Sequence, residues 1–239
     1  MENQRHNPDY IHHQDSKIVS AIREVVFGVE DGMVSTLGAI SGIAVGSQDR
    51  FAVILAGCVI IAVESISMGI GSYISNLSDK DIKKRKLYEE KIEIEKYPVE
   101  EARELTEMYI EDGWPKNLAE EMSLIASKNK KLMLQEMAYR ELNLPPQDHS
   151  HPLRNGVFMF LAYIVGGLIP LLAYFFLPLS VATFLSVVVT LFGLFLLGVA
   201  TTRYTKKNWI KAGLKIFVLG SVALAVGLAI GKLVNIINT

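Results

Sequence analysis

An internal disulfide is closed to this sequence. Its 239 residues hold one cysteine, Cys58, which cannot form an internal bridge and says nothing about compartment. Other signatures are missing too. There is no Cys/His zinc spacing and no Gly-rich phosphate loop. No Glu-x-x-His pair accompanies the acids, which leaves a ferritin-type di-iron oxidase unsupported. No nucleophile–base pair or cofactor motif stands out, so neither an enzyme nor a resident cofactor is expected. The polar start Met1–Asp15 lacks a basic segment followed by an apolar core and a small-residue cleavage site, so no signal peptide is expected. The histidines (His6, His12, His13, His149, His151) fall in polar stretches and read as surface residues rather than ligands.

Acids are also scarce where the apolar residues concentrate. Residues 51–75, 153–177, 179–202 and 212–234 contain a single acid, Glu64, and are rich in Leu, Ile, Val, Phe, Ala and Gly. With residues 25–46 they make five segments, each about long enough to cross a ~30 Å hydrocarbon layer as a helix of about 20 residues. Runs this continuous favour helices over a barrel. A soluble domain is disfavoured because residues 155–202 lack the polar face of an ordinary surface helix. Lys80, Lys83, Lys84, Arg85 and Lys86 follow the second segment, and Arg203, Lys206, Lys207 and Lys211 link the fourth to the fifth. Basic loops mark the cytoplasmic side, and an even number of crossings separates these two. The expected fold is an all-α membrane protein of five transmembrane helices with a helical cytoplasmic insert between the second and third. Its parts are a polar cytoplasmic N-terminus (1–22), helices one and two (23–75), the insert (76–150) and helices three to five (151–239). A multi-pass protein of a prokaryotic cell membrane is the default, a vacuolar membrane the alternative.

The first segment nevertheless carries Glu30 and Asp31, and the second carries Glu64. A carboxylate inside a membrane helix costs roughly 2.5–3.5 kcal/mol on insertion scales and marks an ion pathway by default. Met68 lies one turn beyond Glu64 on the same face. A methionine there is either packing filler or a soft metal ligand. Gly28, Gly32, Gly38, Gly42 and Gly46 are expected to form one small-residue stripe for a helix–helix contact, within the chain or between two copies. Pro170 is expected to kink or loosen the third segment.

The insert holds 17 of the 25 acids and 13 of the 24 bases, too many charges for a span. Tyr97-Pro98, Gly113-Trp114-Pro115 and Pro145-Pro146 break it into helices. Glu90 with Glu93, and Glu101 with Glu104, are spaced i, i+3, so each pair shares a helix face. Such pairs form either a solvated charged face or a cation site. Met137 and Glu141 are spaced i, i+4 near Glu136 on the last helix. Carboxylates suit Mg, Ca, Mn and Fe(II), and a thioether tilts the preference toward softer transition metals.

Glu24 through Gly38, then Ser67-Met68-Gly69-Ile70-Gly71-Ser72-Tyr73-Ile74, an acidic helical insert and three more spans together resemble the vacuolar iron transporter family. The resemblance covers nearly the whole chain after residue 20. It implies a five-span homodimer that moves Fe(II), often also Mn(II), out of the cytosol, in several members in exchange for protons, and the glycine spacing points to the first transmembrane helix as the seam between copies. It also implies roles. Asp31 and Met68 match the family's pathway residues, and Glu24 matches an acid at the cytoplasmic mouth. Glu90, Glu93, Glu101, Glu104, Met137 and Glu141 match the metal ligands of its cytoplasmic domain. Two positions depart. Ile60 stands where the family has a glutamate, with Glu64 one turn later as a substitute, and Ala138 stands where a second methionine often follows Met137.

The expected function is therefore export of a divalent transition metal. The expected partners are the metal ion, protons, the bilayer and a second copy, with no nucleic acid. The rival is a metal-binding membrane sensor or buffer, which has no need of Asp31 and Glu64 in its spans.

Overall fold

The computed structural model describes residues 17–144 and 151–238. Among them it forms eight α-helices and no strand. These are α1 (Lys17–Ser47), α2 (Arg50–Lys96), α3 (Pro98–Glu111), α4 (Lys116–Ser127), α5 (Lys130–Arg140), α6 (Pro152–Phe176), α7 (Leu179–Thr205) and α8 (Trp209–Asn238). The expectations for His6, His12, His13, His149 and Pro145-Pro146 lie outside the described residues. The helices form two compact units, one of residues up to Tyr73 with those from Pro152 onward, the other Ile74–His151.

Helix boundaries follow local chemistry. Asp49 Oδ1 accepts the amide of Phe51 at 2.9 Å to open α2, and Asn208 Oδ1 accepts those of Ile210 and Lys211 at 3.0 and 3.2 Å to open α8. Such side chains satisfy amides left over at a helix start. α3 begins on Pro98, whose missing N–H costs nothing there. Gly113 takes φ +95° between α3 and α4, a conformation that favours glycine.

In the first unit, α2, α6, α7 and α8 are long and apolar enough to cross a membrane. α1 is not among these four. Glu30, Asp31 and its many Gly and Ser residues dilute its aliphatic side chains. α1 instead runs beside α6 and α8, all three pointing the same way. Gly28 lies on Met159 and Ala162, Gly32 on Tyr163 and Gly167, Gly38 on Ala223, Gly42 on Gly227 and Gly46 on Gly231. A Cβ on Gly42 would sit 2.5 Å from the Gly227 carbonyl oxygen, so the two backbones touch. The five glycines therefore do not form one stripe. Gly28 and Gly32 serve α6, while Gly38, Gly42 and Gly46 serve α8. The six-residue step from 32 to 38 turns the helix by about 240°, which moves the second set to another face.

α2 and α7 run the opposite way. Gly57 meets Leu171 and Gly69 meets Phe160 and Gly156, while Gly198 meets Ala212 and Gly220 meets Leu194. Ile40, Ala44, Val53, Ile61, Leu171, Tyr174 and Ala182 make the apolar core. At the end where α1 meets α2, Arg50 donates to the carbonyls of Tyr174 and Phe175, both at 2.6 Å. This closes the C-terminus of α6, whose last carbonyls have no partner within the helix. Pro170 stays inside a continuous α6, and Ser186 Oγ donates to its carbonyl at 2.7 Å.

In the second unit, Ile94, Leu105, Tyr109, Ala119, Ala126, Met133 and Met137 form the core between the helices. A polar network fixes α3 against α5. Tyr109 Oη donates to Glu136 Oε2 at 3.1 Å, Arg140 Nε bonds the same oxygen at 3.2 Å, and Arg140 also pairs with Asp112. The guanidinium lies 4.3 Å above the Tyr109 ring, a favourable cation–π geometry.

Candidate functional site

The acids of the first unit lie where α1 passes between other helices. Glu24 is 5 % exposed. Ser72 Oγ donates to its Oε2 at 2.8 Å, and Arg23 donates to its Oε1 at 2.9 Å. The serine of the α2 motif thus holds the α1 acid. Two and three turns further along α1, Asp31 and Ser35 form a second polar patch. Ser35 Oγ donates to the Asp31 carbonyl at 2.6 Å, and the Tyr163 hydroxyl lies 2.6 Å from Ser35 Oγ. Asp31 is half-buried and within range of the charge of Glu64. Tyr163 on α6 is within range of both acids. Glu64 is exposed on α2, and Met68, a turn beyond, is half-buried. Glu30 lies within range of the charges of Asp31 and of Lys215 on α8, and lines a pocket with that lysine. Ser35 also lines an open groove of about 650 Å³ running along Gly38, Gly42 and Gly46 of α1 and Gly227 and Gly231 of α8.

The acids of the second unit divide by burial. Glu90 is 2 % exposed and Glu101 7 %, whereas Glu93, Glu104 and Glu141 are exposed. Glu90 is close enough to Glu141 and to Glu101 to share a proton with them. Burial first, then these neighbours, push the Glu90 carboxyl up to about 8. Burial first, then Glu104 and Glu141, push Glu101 up to about 7. Glu104 is raised as well, first by partial desolvation of its carboxyl and then by the charges of Glu141, Glu107 and Glu93. Glu90 Oε1 and Glu101 Oε2 are buried with no hydrogen-bond donor. A buried carboxylate oxygen without a donor is costly unless a proton or a cation meets it, so this donor set fits a hard cation. Among the described residues, no three Asp, Glu, His or Cys side chains are gathered tightly enough to enclose an ion. Met137 is fully buried within the apolar core of this unit.

The residues that sequence reasoning passed over are Ser35, Tyr163 and Lys215. Tyr163 sits singly in an apolar run, and although Ser35 lies one turn past Asp31, only the packing of α6 on α1 brings the tyrosine to it. Lys215 is legible as a lone base near the start of the fifth apolar segment.

Comparison with known proteins bears on this arrangement. Residues 22–232 match the family model described as the VIT family. The chain belongs to the VIT family. Vacuolar iron transporter 1 of Arabidopsis thaliana is 29% identical over 227 residues, covering 94% of this chain and 91% of that protein. Vacuolar iron transporter 1 of Tulipa gesneriana is 31% identical over 215 residues, covering 90% and 87%. The vacuolar iron transporter of Toxoplasma gondii is 30% identical over 226 residues, covering 90% and 75%. As a VIT-family chain with four helices fit to cross a membrane, it is an integral membrane protein.

Proposed function

We propose that this VIT-family protein moves a divalent transition metal, iron(II) first and manganese(II) second, out of the cytosol in exchange for protons. The observation that carries the reading is the pair Asp31 and Glu64. Two acids within range of each other's charge lie among helices able to span a membrane. Intramembrane acids are kept for a pathway or a relay. α1 acts as the fifth span. It follows α6 from Gly28 to Ile40, so if α6 crosses, α1 crosses with it. Its low hydropathy suits a helix whose polar side faces protein rather than lipid.

The second unit captures the ion on the cytoplasmic side. Glu90 and Glu101 bind it, with the exposed Glu93, Glu104 and Glu141 swinging in to complete the set and Met137 adding a soft donor. Since metal ligands must be deprotonated, capture releases protons near neutral pH. Asp31, Glu64 and Met68 carry the ion onward from Glu24 at the mouth, and their carboxylates retake protons when the ion leaves. A second copy completes the pathway through α1, a reading supported by the open groove beside Ser35.

The test is metal flux into proteoliposomes of the wild type and Asp31→Ala, with Fe(II), Mn(II), Zn(II) and Ca(II) supplied separately, with and without a pH gradient. Selective Fe(II) or Mn(II) flux that rises with the gradient and vanishes in Asp31→Ala supports the exchanger. Unimpaired flux in a folded Asp31→Ala protein sinks the pathway. Metal binding without any flux turns the reading into the sensor or buffer.

A further inference from the structure

We propose that the pocket between α7 and α8 binds the phosphate headgroup of an anionic membrane lipid. The pocket, about 590 Å³, is lined by Thr201, Thr205, Lys207, Lys211 and Lys215, with Glu30 of α1 as its single acid. Among the described residues, none of the three lysines has a carboxylate within ion-pair distance. Lys215 feels the charge of Glu30 only at longer range. Three ammonium groups therefore face one carboxylate, and the stretch from Arg203 to Lys215 holds five bases and no acid. The two threonine hydroxyls already donate along α7, Thr201 Oγ1 to Gly198 at 2.7 Å and Thr205 Oγ1 to Thr201 at 3.3 Å. The lysines are thus the free donors, and they call for an anion.

The position of the pocket says which anion. α7 and α8 are both fit to span a membrane, and the pocket sits at the turn that joins them, where hydrocarbon gives way to headgroups. Trp209 is exposed in the first turn of α8, and an indole favours that level. Lys211 and Lys215 are spaced i, i+4 and share a face of α8. Their stems run along an apolar helix while the ammonium groups turn to the polar layer. The N-terminus of α8 adds its partial positive charge at the same end. Basic pockets of this kind between membrane helices take phosphate headgroups. Binding at this site does not depend on transport. Because Glu30 is next to Asp31, a lipid phosphate on Lys215 also changes the charge felt at the head of the α1 acid pair.

The test is thermal unfolding of the purified full chain in detergent, titrated with phosphatidylglycerol, phosphatidylcholine or inorganic phosphate. The expected result is a midpoint raised several degrees by phosphatidylglycerol alone. The double variant Lys207→Gln with Lys211→Gln should lose at least half of that rise while matching the wild type in phosphatidylcholine. The pair Lys207→Arg with Lys211→Arg should retain it, as should the charge-matched control Lys83→Gln with Lys84→Gln. An equal rise with phosphatidylcholine, or an undiminished rise in the Lys207/Lys211 glutamine variant, overturns the site. An equal rise with inorganic phosphate overturns a lipid as its occupant.

Discussion

Replacing Glu90 by glutamine separates the proton held by the second unit from the metal it is proposed to bind. The folded chain holds this carboxyl's proton up to about pH 8, against an ordinary value of 4.5. Between those two values the unfolded chain gives the proton up and the folded chain keeps it. Stability from this group is therefore complete below about pH 4.5 and is lost as pH rises toward 8. Complete ionisation corresponds to about 5 kcal/mol at about 1.4 kcal/mol per pH unit. The exposed neighbours Glu93 and Glu141 are screened by water, which brings the realistic cost to about 2 kcal/mol. Glu90→Gln has no charge to desolvate. Without metal, it should match the wild type near pH 5 and exceed it by about 2 kcal/mol near pH 9, or about 4–8 °C in midpoint for a chain of this size.

The same variant should bind metal more weakly and release fewer protons on binding. At pH 7 a group titrating at about 8 is about nine-tenths protonated and one at about 7 is half protonated. Binding that ionises both releases on the order of one proton at pH 7 and almost none at pH 9. Glu90→Gln should cut the pH 7 figure by about one proton. Calorimetry in buffers of different ionisation enthalpy measures this directly. Equal proton release by variant and wild type, or release that does not change with pH, refutes the assignment of Glu90 as a ligand.

Two further substitutions probe the rest of the arrangement. Ser72→Ala removes the hydroxyl that donates to the buried Glu24 Oε2, and should lower stability by about 1–3 kcal/mol. An unchanged unfolding midpoint would show that the contact contributes nothing. Met137→Leu keeps the volume of a fully buried side chain, so stability should change by less than about 1.5 kcal/mol. If the thioether is a donor, iron(II) binding should fall relative to calcium at that near-constant stability. Identical relative affinities would leave Met137 as core alone.

Much of this architecture is local and so could be read along the chain. Tyr97-Pro98 and Gly113-Trp114-Pro115 end helices where their backbone preferences require. The four apolar segments become α2, α6, α7 and α8 because length and hydropathy are properties of one stretch at a time. The shared face of Glu90 with Glu93 follows from helix geometry alone. The glycines show where local reading stops. Their spacing announces close packing without naming the partner, and the offset between Gly32 and Gly38 sends one set to α6 and the other to α8.

The sequence by itself determined the helical class, the apolar segments, the acids placed against the grain of those segments and the family. Tertiary structure decided what each acid became. Glu24 and Glu90 are buried while Glu93 and Glu104 are exposed, although all four are glutamates on helices. Glu30 and Asp31 are adjacent in sequence, yet Glu30 lines a pocket with Lys215 while Asp31 lies within range of the charge of Glu64. The reason is physical. A helix sets the direction in which a side chain leaves the backbone, but the charge, hydrogen bonds and solvent it meets come from elements distant in sequence.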